Sequence, residues 1–405
     1  MIMKSKSPLQ GGFRPTPAHE HGFGLVELMI SVAIGLVILA ALVALFVNAS
    51  RNNREMATAN SVIENGRFAI ELLESDIVHA GYWGSYVPDF DDPTRDEAAP
   101  TSTPTGVPAL CEPYAADTWV TIAGVGEPLL NNLIGIPVQA FESDAAVCAG
   151  VVEDAVPGTD VLVLRHAERC APGEGSCDPD DPDDPEIFIQ ASLCADEIAG
   201  TPYAFGRTGA APFDPPFTLT QRDCATPAEK RRFASYIYYV RDYAVAPDDG
   251  IPTLVRAEFD RVGGDFAYQP PVPLIEGIEG LWVELGIDNE SITGAPVDNT
   301  VAVVWENKDI KERAINRGDG VPDGGFVRCD PCDDVNELMN VTAVKVYVVA
   351  RSRERTPGYT DDKSYSVGLA GVWPFDPDAF DPEFKRHVYS TTIRLHNVSG
   401  RRERP

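Results

Sequence analysis

An apolar run over residues 23–47, with a single charged residue near its start, is the feature that most constrains how this chain can fold. The run is 25 residues long, and a helix of about 20 residues is enough to cross the hydrocarbon core of a bilayer. Glu27 is its one charged residue. A carboxylate at that depth costs on the order of a few kcal/mol unless a partner neutralises it. The run therefore predicts a membrane-spanning helix in which Glu27 has a specific partner.

Three classes of N-terminal segment compete to explain this run. A secretory signal peptide could end at the small residues 47–49, but its apolar core is usually only about 7–15 residues long. A plain signal anchor fits the length and leaves Glu27 unexplained. The third class accounts for Gly22, which immediately precedes the run, and for Glu27, the fifth residue after that glycine. This arrangement resembles the class III signal of type IV pilins and pseudopilins.

The resemblance to pilins implies that the N-terminus is cleaved and methylated and that Glu27 has a charged partner. A prepilin peptidase in the membrane would cleave after Gly22 and methylate the new N-terminus at Phe23. In a filament of stacked subunits, Glu27 of one chain could then meet the Phe23 amine of the next chain. Opposite charges attract strongly at low dielectric, so this pairing would offset part of the cost of burial.

The residues after the apolar run predict that the helix continues to about His79. No proline occurs between Phe23 and Tyr86, and Gly81 is a plausible C-terminal stop. Apolar residues recur in steps of three and four, as on one face of an amphipathic helix. The stripe comprises Met56, Ala59, Ile63, Gly66, Ile70, Leu73, Ile77 and Ala80, widened by Val62, Ala69 and Leu72. Two separate helices joined near residues 48–53, where polar residues cluster, remain an alternative.

The remainder of the chain reads as a mostly β head, which makes the expected fold class α+β. Runs rich in Val, Ile, Tyr and Phe are separated by clusters of Gly, Pro, Asn and Asp. Strands are expected over 160–165, 186–190, 233–245, 254–259, 280–285, 301–305, 341–350 and 387–395. The predicted organisation is a leader at 1–22, a helix at 23–80 with its membrane span at 23–47, a connector at 81–110 and a head at 111–405.

Eight cysteines, all after the apolar run, indicate an oxidising compartment such as the periplasm or the cell exterior. Eight thiols permit 105 pairings, and pairing between sequence neighbours is the favoured interpretation. For the C-x-x-C pair at 329 and 332, a structural disulfide is favoured over redox or zinc chemistry, because no second C-x-x-C is present. The disulfide candidates are Cys111, Cys148, Cys170, Cys177, Cys194, Cys224, Cys329 and Cys332.

Charge and motifs argue against nucleic-acid binding and give no sign of an enzyme. A formal net charge of −29 repels phosphate backbones, and the sequence contains no recognisable hydrolase, metalloprotease or phosphate-binding motif. No cofactor is predicted. The acidic stretches 178–186 and 316–334 have clustered oxygens that could bind Ca²⁺, but they lack the spacing of an EF-hand. Solvated loops are the preferred interpretation of both stretches.

Several internal segments resemble the minor pilin family PilW. They are residues 65–83, 158–167, 249–256, 274–281 and 386–397. The resemblance implies a low-abundance, non-enzymatic subunit that helps to initiate type IV pilus assembly with other minor pilins at the filament tip. A tip adhesin is a further candidate partner. Before assembly, the helix would cross the inner membrane once with the head in the periplasm; afterwards the protein would be part of the extracellular pilus.

Two rival interpretations remain open at this stage. A minor pseudopilin of a type II secretion system would carry the same signal, although such heads are usually smaller. A membrane-anchored extracytoplasmic enzyme or binding protein could begin with a pilin-like sequence by coincidence.

Overall fold

One continuous helix, α1 (Leu25–His79), begins the computed structural model of the protein. The structure describes residues 24–94, 98–109, 128–143, 148, 150–168, 187–207, 217–262, 265–328, 333–374 and 380–403. The chain forms two compact units, residues 1–57 and 58–405, so α1 contributes to both. Because α1 passes without a break through residues 48–53, the prediction of a single helix is confirmed and the two-helix alternative is wrong.

The predicted stop at Gly81 is confirmed, and the last helix of the chain reinforces it. Gly81 has a φ of +74°, a conformation that glycine adopts without steric cost. The final carbonyls of a helix lack partners within the helix itself. Here α5 (His396–Arg402) supplies donors: Asn397 Nδ2 lies 2.9 Å from Val78 O, and Arg401 Nη2 lies 2.7 Å from Gly81 O.

Among the described residues, the larger sheet of the head has eight strands, and all of the pairings between them are antiparallel. They are β1 (Val138–Glu142), β2 (Asp160–Ala167), β3 (Ile187–Ala191), β4 (Tyr203–Arg207), β5 (Lys230–Arg241), β6 (Thr253–Val262), β7 (Asp265–Tyr268) and β8 (Val272–Glu276). The order is β1-β2-β5-β3-β4, and β6 pairs with β5, β7 and β8. The long strand β5 is the centre of the sheet, since its beginning pairs with β3 and its remainder with β2 and β6.

A second antiparallel sheet has the order β15-β12-β9. Its strands are β9 (Ile278–Ile287), β12 (Val341–Arg351) and β15 (Arg386–Arg394). Two small hairpins are inserted between them: β10 (Trp305–Asn307) with β11 (Glu312–Ala314), and β13 (Tyr365–Ser366) with β14 (Val372–Trp373). The remaining α-helices are α2 (Pro128–Gly135), α3 (Ala195–Ile198) and α4 (Val335–Leu338), and short 3-10 helices lie at Asp89–Asp91 and Gly368–Ala370. The fold is α+β, as predicted.

Both faces of the larger sheet are buried, which explains its continuous apolar strands. In β2, Leu162 and Leu164 join a core that contains α1 and the second sheet, while Val161 and Val163 join a core on the opposite face. Successive side chains of a strand point to opposite faces. A strand with two buried faces therefore needs apolar residues at every position rather than at alternate ones.

The buried stripe of α1 differs from the predicted one at its start. Its buried residues are Val62, Gly66, Ala69, Leu73 and Ile77, followed by Ala80 just beyond the helix. Met56 and Ile63 are exposed, so their assignment to the buried face was wrong. A strict alternation of three and four drifts by about 20° per heptad relative to a straight α-helix. Traced back from Gly66, the buried line therefore reaches Val62 instead of Ile63.

The strand expected over residues 301–305 is absent before Trp305, where β10 begins. In this segment the side chain of Asn316, rather than a neighbouring strand, binds the backbone. Asn316 Nδ2 donates to Ala302 O at 2.9 Å, and Asn316 Oδ1 accepts from Val304 N at 2.8 Å. The side chain of Asn316 thus binds backbone groups that a neighbouring strand would otherwise pair with. The strand that the apolar residues predict does not form here.

Gly66→Ala tests the packing of α1 on the head. A Cβ at Gly66 would lie 2.1 Å from Cε2 of Tyr389, whose ring covers this position from β15. Alanine favours a helix more than glycine does, yet we expect the clash to lower the free energy of unfolding by about 1–3 kcal/mol. Chemical denaturation of the detergent-solubilised full chain measures this difference.

Gly35→Ala is the matched control, because a Cβ there meets no atom within 4 Å. Tyr389→Ala added to Gly66→Ala should relieve the clash and recover part of the lost stability. If Gly66→Ala is as stable as the Gly35→Ala control, the close approach of Tyr389 to α1 is refuted.

Candidate functional site

The first turn of α1 contains the acid that the sequence singled out. Glu27 Oε2 accepts a hydrogen bond from Gly24 N at 3.1 Å. Glu27 is the third residue of the helix, and a glutamate there commonly reaches back to the backbone N–H that precedes the helix. The carboxylate therefore has a structural role within one chain, where it caps the helix start. Gly22 and Phe23 lie outside the described residues.

The apolar part of α1 is exposed on every side within its own unit. Its large apolar residues from Leu25 to Val47 each retain more than half of their accessible surface. The helix is long and apolar enough to cross a membrane by length and composition. A helix that is apolar all round needs an apolar environment all round, from lipid or from other helices.

Polar contacts along the edges of the buried stripe position the end of α1 on the head. Asn65 Nδ2 lies 2.9 Å from Glu276 O at the end of β8. The hydroxyl of Tyr238 on β5 donates to Asp76. These contacts come from the larger sheet, whereas Tyr389 packs on the helix from the second sheet.

A cluster of two buried acids and two arginines connects α5 with the 3-10 helix at Asp89–Asp91 and with the segment that follows β9. Arg402 Nε lies 2.6 Å from Asp91 Oδ1, and Arg402 Nη1 lies 3.2 Å from Asp288 Oδ2. Arg401 Nη1 lies 3.5 Å from Asp91 Oδ2. Burial raises the pKa of Asp288, although the charge of Arg402 opposes that effect. The sequence analysis missed this cluster, because residues that are far apart in the chain carry no local signal of their meeting.

Histidines and acids next to the end of α1 form a second polar cluster. His166 on β2 is buried, with its ring centroid 6.0 Å from that of His79, and its Nε2 has no hydrogen-bond partner in the part of the chain that the structure describes. Burial lowers the pKa of His166. Burial alone would raise the pKa of Glu168, but hydrogen bonds from Arg232 and Tyr236 lower it overall. These partners hold Glu168 as a structural carboxylate.

The head contains a disulfide, as the cysteine content predicts. Cys194 and Cys224 form a disulfide with a Cα–Cα distance of 5.0 Å. No other cysteine lies between them in the sequence, so this pair agrees with the predicted pairing of sequence neighbours. Cys148 is also disulfide-bonded. Asp196 lies close to the two bonded sulfurs, but sulfurs joined in a disulfide provide no thiolate for a metal. The other candidates, which lie outside the described residues, are Cys111, Cys170, Cys177, Cys329 and Cys332.

Carboxylates in and around the second acidic stretch bind backbone amides. Asp288 Oδ2 accepts from Gly320 N at 2.9 Å, and Asp323 Oδ2 accepts from Glu290 N at 2.6 Å. Carboxylates stabilise irregular backbone in this way, which gives these acids a role as turn formers. The first acidic stretch, 178–186, lies outside the described residues.

Comparison with known proteins finds two families whose models match parts of the chain. Residues 17–43 match the prokaryotic N-terminal methylation motif, and residues 237–397 match the family described as type IV pilus-assembly protein W. The chain is therefore PilW-like in this region and has the N-terminal methylation motif. The methylation motif contains Gly22, Phe23 and Glu27, and the second match extends from β5 into α5.

Among solved structures, a type IV-like pilin from Thermus thermophilus is similar to this chain at 11% sequence identity, with a TM-score of 0.25. The match covers 70% of this chain and 92% of that chain. No match to the sequence was found among the curated proteins.

The buried histidine predicts how stability depends on pH. Because burial lowers the pKa of His166 in the folded protein, the unfolded chain takes up this proton first as the pH falls. The free energy of unfolding should therefore decrease as the pH falls below about 6.5. His166→Gln should remove this part of the pH dependence, as measured by chemical denaturation between about pH 5 and 8.

His387→Gln is the control, because His387 is an exposed residue of β15. It should keep the wild-type slope. The same slope in His166→Gln and in the wild type would contradict the assignment.

Proposed function

We propose that this PilW-like pilin is a non-enzymatic minor pilin that helps to initiate type IV pilus assembly. It would be incorporated at or near the pilus tip together with other minor pilins. The observation that carries the proposal is a methylation motif on an exposed apolar helix, in the same chain as a PilW domain. The proposed role needs no cofactor.

Assembly would depend on the charge of Glu27. Cleavage by the prepilin peptidase after Gly22 would make Phe23 the N-terminal residue and leave its amine beside the first turn of α1. Glu27 uses Oε2 to cap Gly24 N. Within the described residues Oε1 has no hydrogen-bond donor, so a neighbouring pilin's amine could bind there without disrupting the cap. This pairing would be strong because the filament interior excludes water.

The location that we propose follows from the same helix and from the disulfides. Before assembly, α1 would anchor the protein in the inner membrane with the head in the periplasm, where disulfides persist. During assembly, the helix would leave lipid for an apolar environment provided by other pilins. A tip adhesin is a further proposed partner. A minor pseudopilin would share the signal, and the match to the pilus-assembly family favours the pilus instead.

Processing gives the first test of this proposal. N-terminal sequencing and mass spectrometry of the protein purified from membranes should show a chain that begins with methylated Phe23. Gly22→Ala should leave the leader in place and prevent incorporation into pili. A wild-type chain that retains its leader, or that begins near residue 50, would contradict the pilin assignment and favour an anchored or secreted protein.

The charge of Glu27 gives the second test. Glu27→Gln keeps an oxygen to cap Gly24 N but removes the charge, so the helix should start normally while pairing between subunits is lost. We expect the amount of variant in sheared pili to fall at least about tenfold, because truncating one side of a buried charge pair usually costs more than 1.4 kcal/mol. Pilus number should approach that of cells lacking the protein, as counted by electron microscopy.

Glu55→Gln is the matched control, since Glu55 is an exposed acid of α1 outside the apolar run. It should support normal piliation. Quantifying tip components in the same preparations tests the proposed place in the filament. Normal piliation by Glu27→Gln, or an unchanged pilus number in cells without the protein, would refute the assembly role.

A further inference from the structure

A cavity of ligand size lies in the head, and the pilin role does not account for it. The cavity has a volume of about 800 Å³ and lies between the β10–β11 hairpin, the 3-10 helix at Asp89–Asp91 and the end of α5. Its lining includes Phe90, Ile292, Trp305, Ile310, Arg317 and Arg402. Pockets for small organic ligands usually have volumes of about 300–1,000 Å³.

Arg317 is a buried cation in the wall of this cavity, and only 5% of its surface is exposed. Its Nη1 donates to Asp298 O and Asn316 O, and its Nη2 lies 2.6 Å from Val301 O. Each of these acceptors is a neutral backbone carbonyl. Among the described residues, Nε has no hydrogen-bond partner and no carboxylate forms an ion pair with Arg317. Asp298, Asp89 and Asp91 act on its charge without such a contact.

Two other arginines that line the cavity form ion pairs with carboxylates, which Arg317 does not do among the described residues. Arg402 is paired with Asp91 and Asp288, and Arg313 lies 3.3 Å from Glu306. A buried charge without a counter-ion is costly, so such charges are normally paired. Burial lowers the pKa of Arg317 to about 10, which leaves it protonated at neutral pH. Within the described residues, the wall of the cavity therefore contains a positive charge that has no ion-pair partner, and a bound anion would provide one.

The rest of the lining defines what kind of anion would fit. Phe90 and Trp305 contribute aromatic surface, and Ile292 and Ile310 are exposed apolar side chains. The charged residues of the lining are four acids and four bases: Asp91, Glu312, Asp319 and Glu403 with Lys311, Arg313, Arg317 and Arg402. This balance suits a ligand with a single negative charge, because the four acids would repel a phosphate dianion.

We propose that this cavity binds a monocarboxylate attached to an apolar group. The carboxylate would pair with the guanidinium of Arg317, whose Nη2 carries a second N–H beyond the one donated to Val301 O. The apolar group would pack against Phe90, Trp305 and Ile310. A free organic acid and the C-terminus of a peptide share this chemistry. The proposal is independent of the pilus role and would hold for any protein with this head.

Binding of matched acids and amides to the full chain in detergent tests the proposal. The probes are 3-phenylpropionate with 3-phenylpropionamide, and acetyl-Ala-Phe with a free or an amidated C-terminus. Isothermal titration calorimetry and saturation-transfer NMR should show that an acid binds at least about tenfold more tightly than its amide. Binding of the peptide acid alone would identify a peptide C-terminus as the ligand, whereas binding of both acids would identify any carboxylate of this size.

Two variants test the site itself. Arg317→Gln should abolish the difference between acid and amide, whereas Arg353→Gln, an exposed arginine outside the lining, should preserve it. If Arg317→Gln does not fold, Trp305→Ala in the small hairpin should still weaken acid binding by loss of apolar contact. Equal affinity for acid and amide, no binding of either acid at millimolar concentration, or unchanged binding by folded Arg317→Gln or by Trp305→Ala would overturn the proposal.

Discussion

Burial of one stripe of α1 is the interaction on which the head depends. Leu73 and Ile77 lie in a core that includes residues from both sheets, such as Leu162 of the larger sheet and Val346 of the second. Each sheet has an apolar face that must be covered, and the helix supplies apolar surface to both of them. Gly66 permits this arrangement because it leaves space for the ring of Tyr389.

Buried ion pairs set the geometry around this core. Asp160 at the start of β2 accepts from Val283 N of β9 at 2.8 Å and from Arg328 at 2.6 Å, which connects the two sheets. Arg402 similarly connects α5 with Asp91 and Asp288. Removing one member of such a pair leaves an uncompensated charge, so buried pairs disfavour alternative packings even where their net contribution to stability is small.

The division into two units separates the requirements of assembly from those of folding. The apolar part of α1 has no core of its own, so lipid or other helices must complete it. The head, in contrast, closes both faces of its larger sheet with its own residues. We expect substitutions at Glu27 to affect incorporation and substitutions such as Gly66→Ala to affect stability. Arg317 belongs to neither group, because its buried charge has no ion pair within the described chain, which supports the proposed ligand site.

Local patterns in the sequence were sufficient for the apolar run, the continuous helix, its stop at Gly81 and the main strands of both sheets. These features depend on side-chain periodicity and on glycine conformation within a few residues. Tertiary structure alone decided that Val62 and not Ile63 is buried. It also decided that the side chain of Asn316, rather than a neighbouring strand, binds the backbone at Val304. It likewise decided that Arg317 is buried without an ion pair among the described residues. The physical reason is that hydrogen bonds, clashes and counter-ions between distant residues depend on where the folded backbone places them, which local periodicity does not encode.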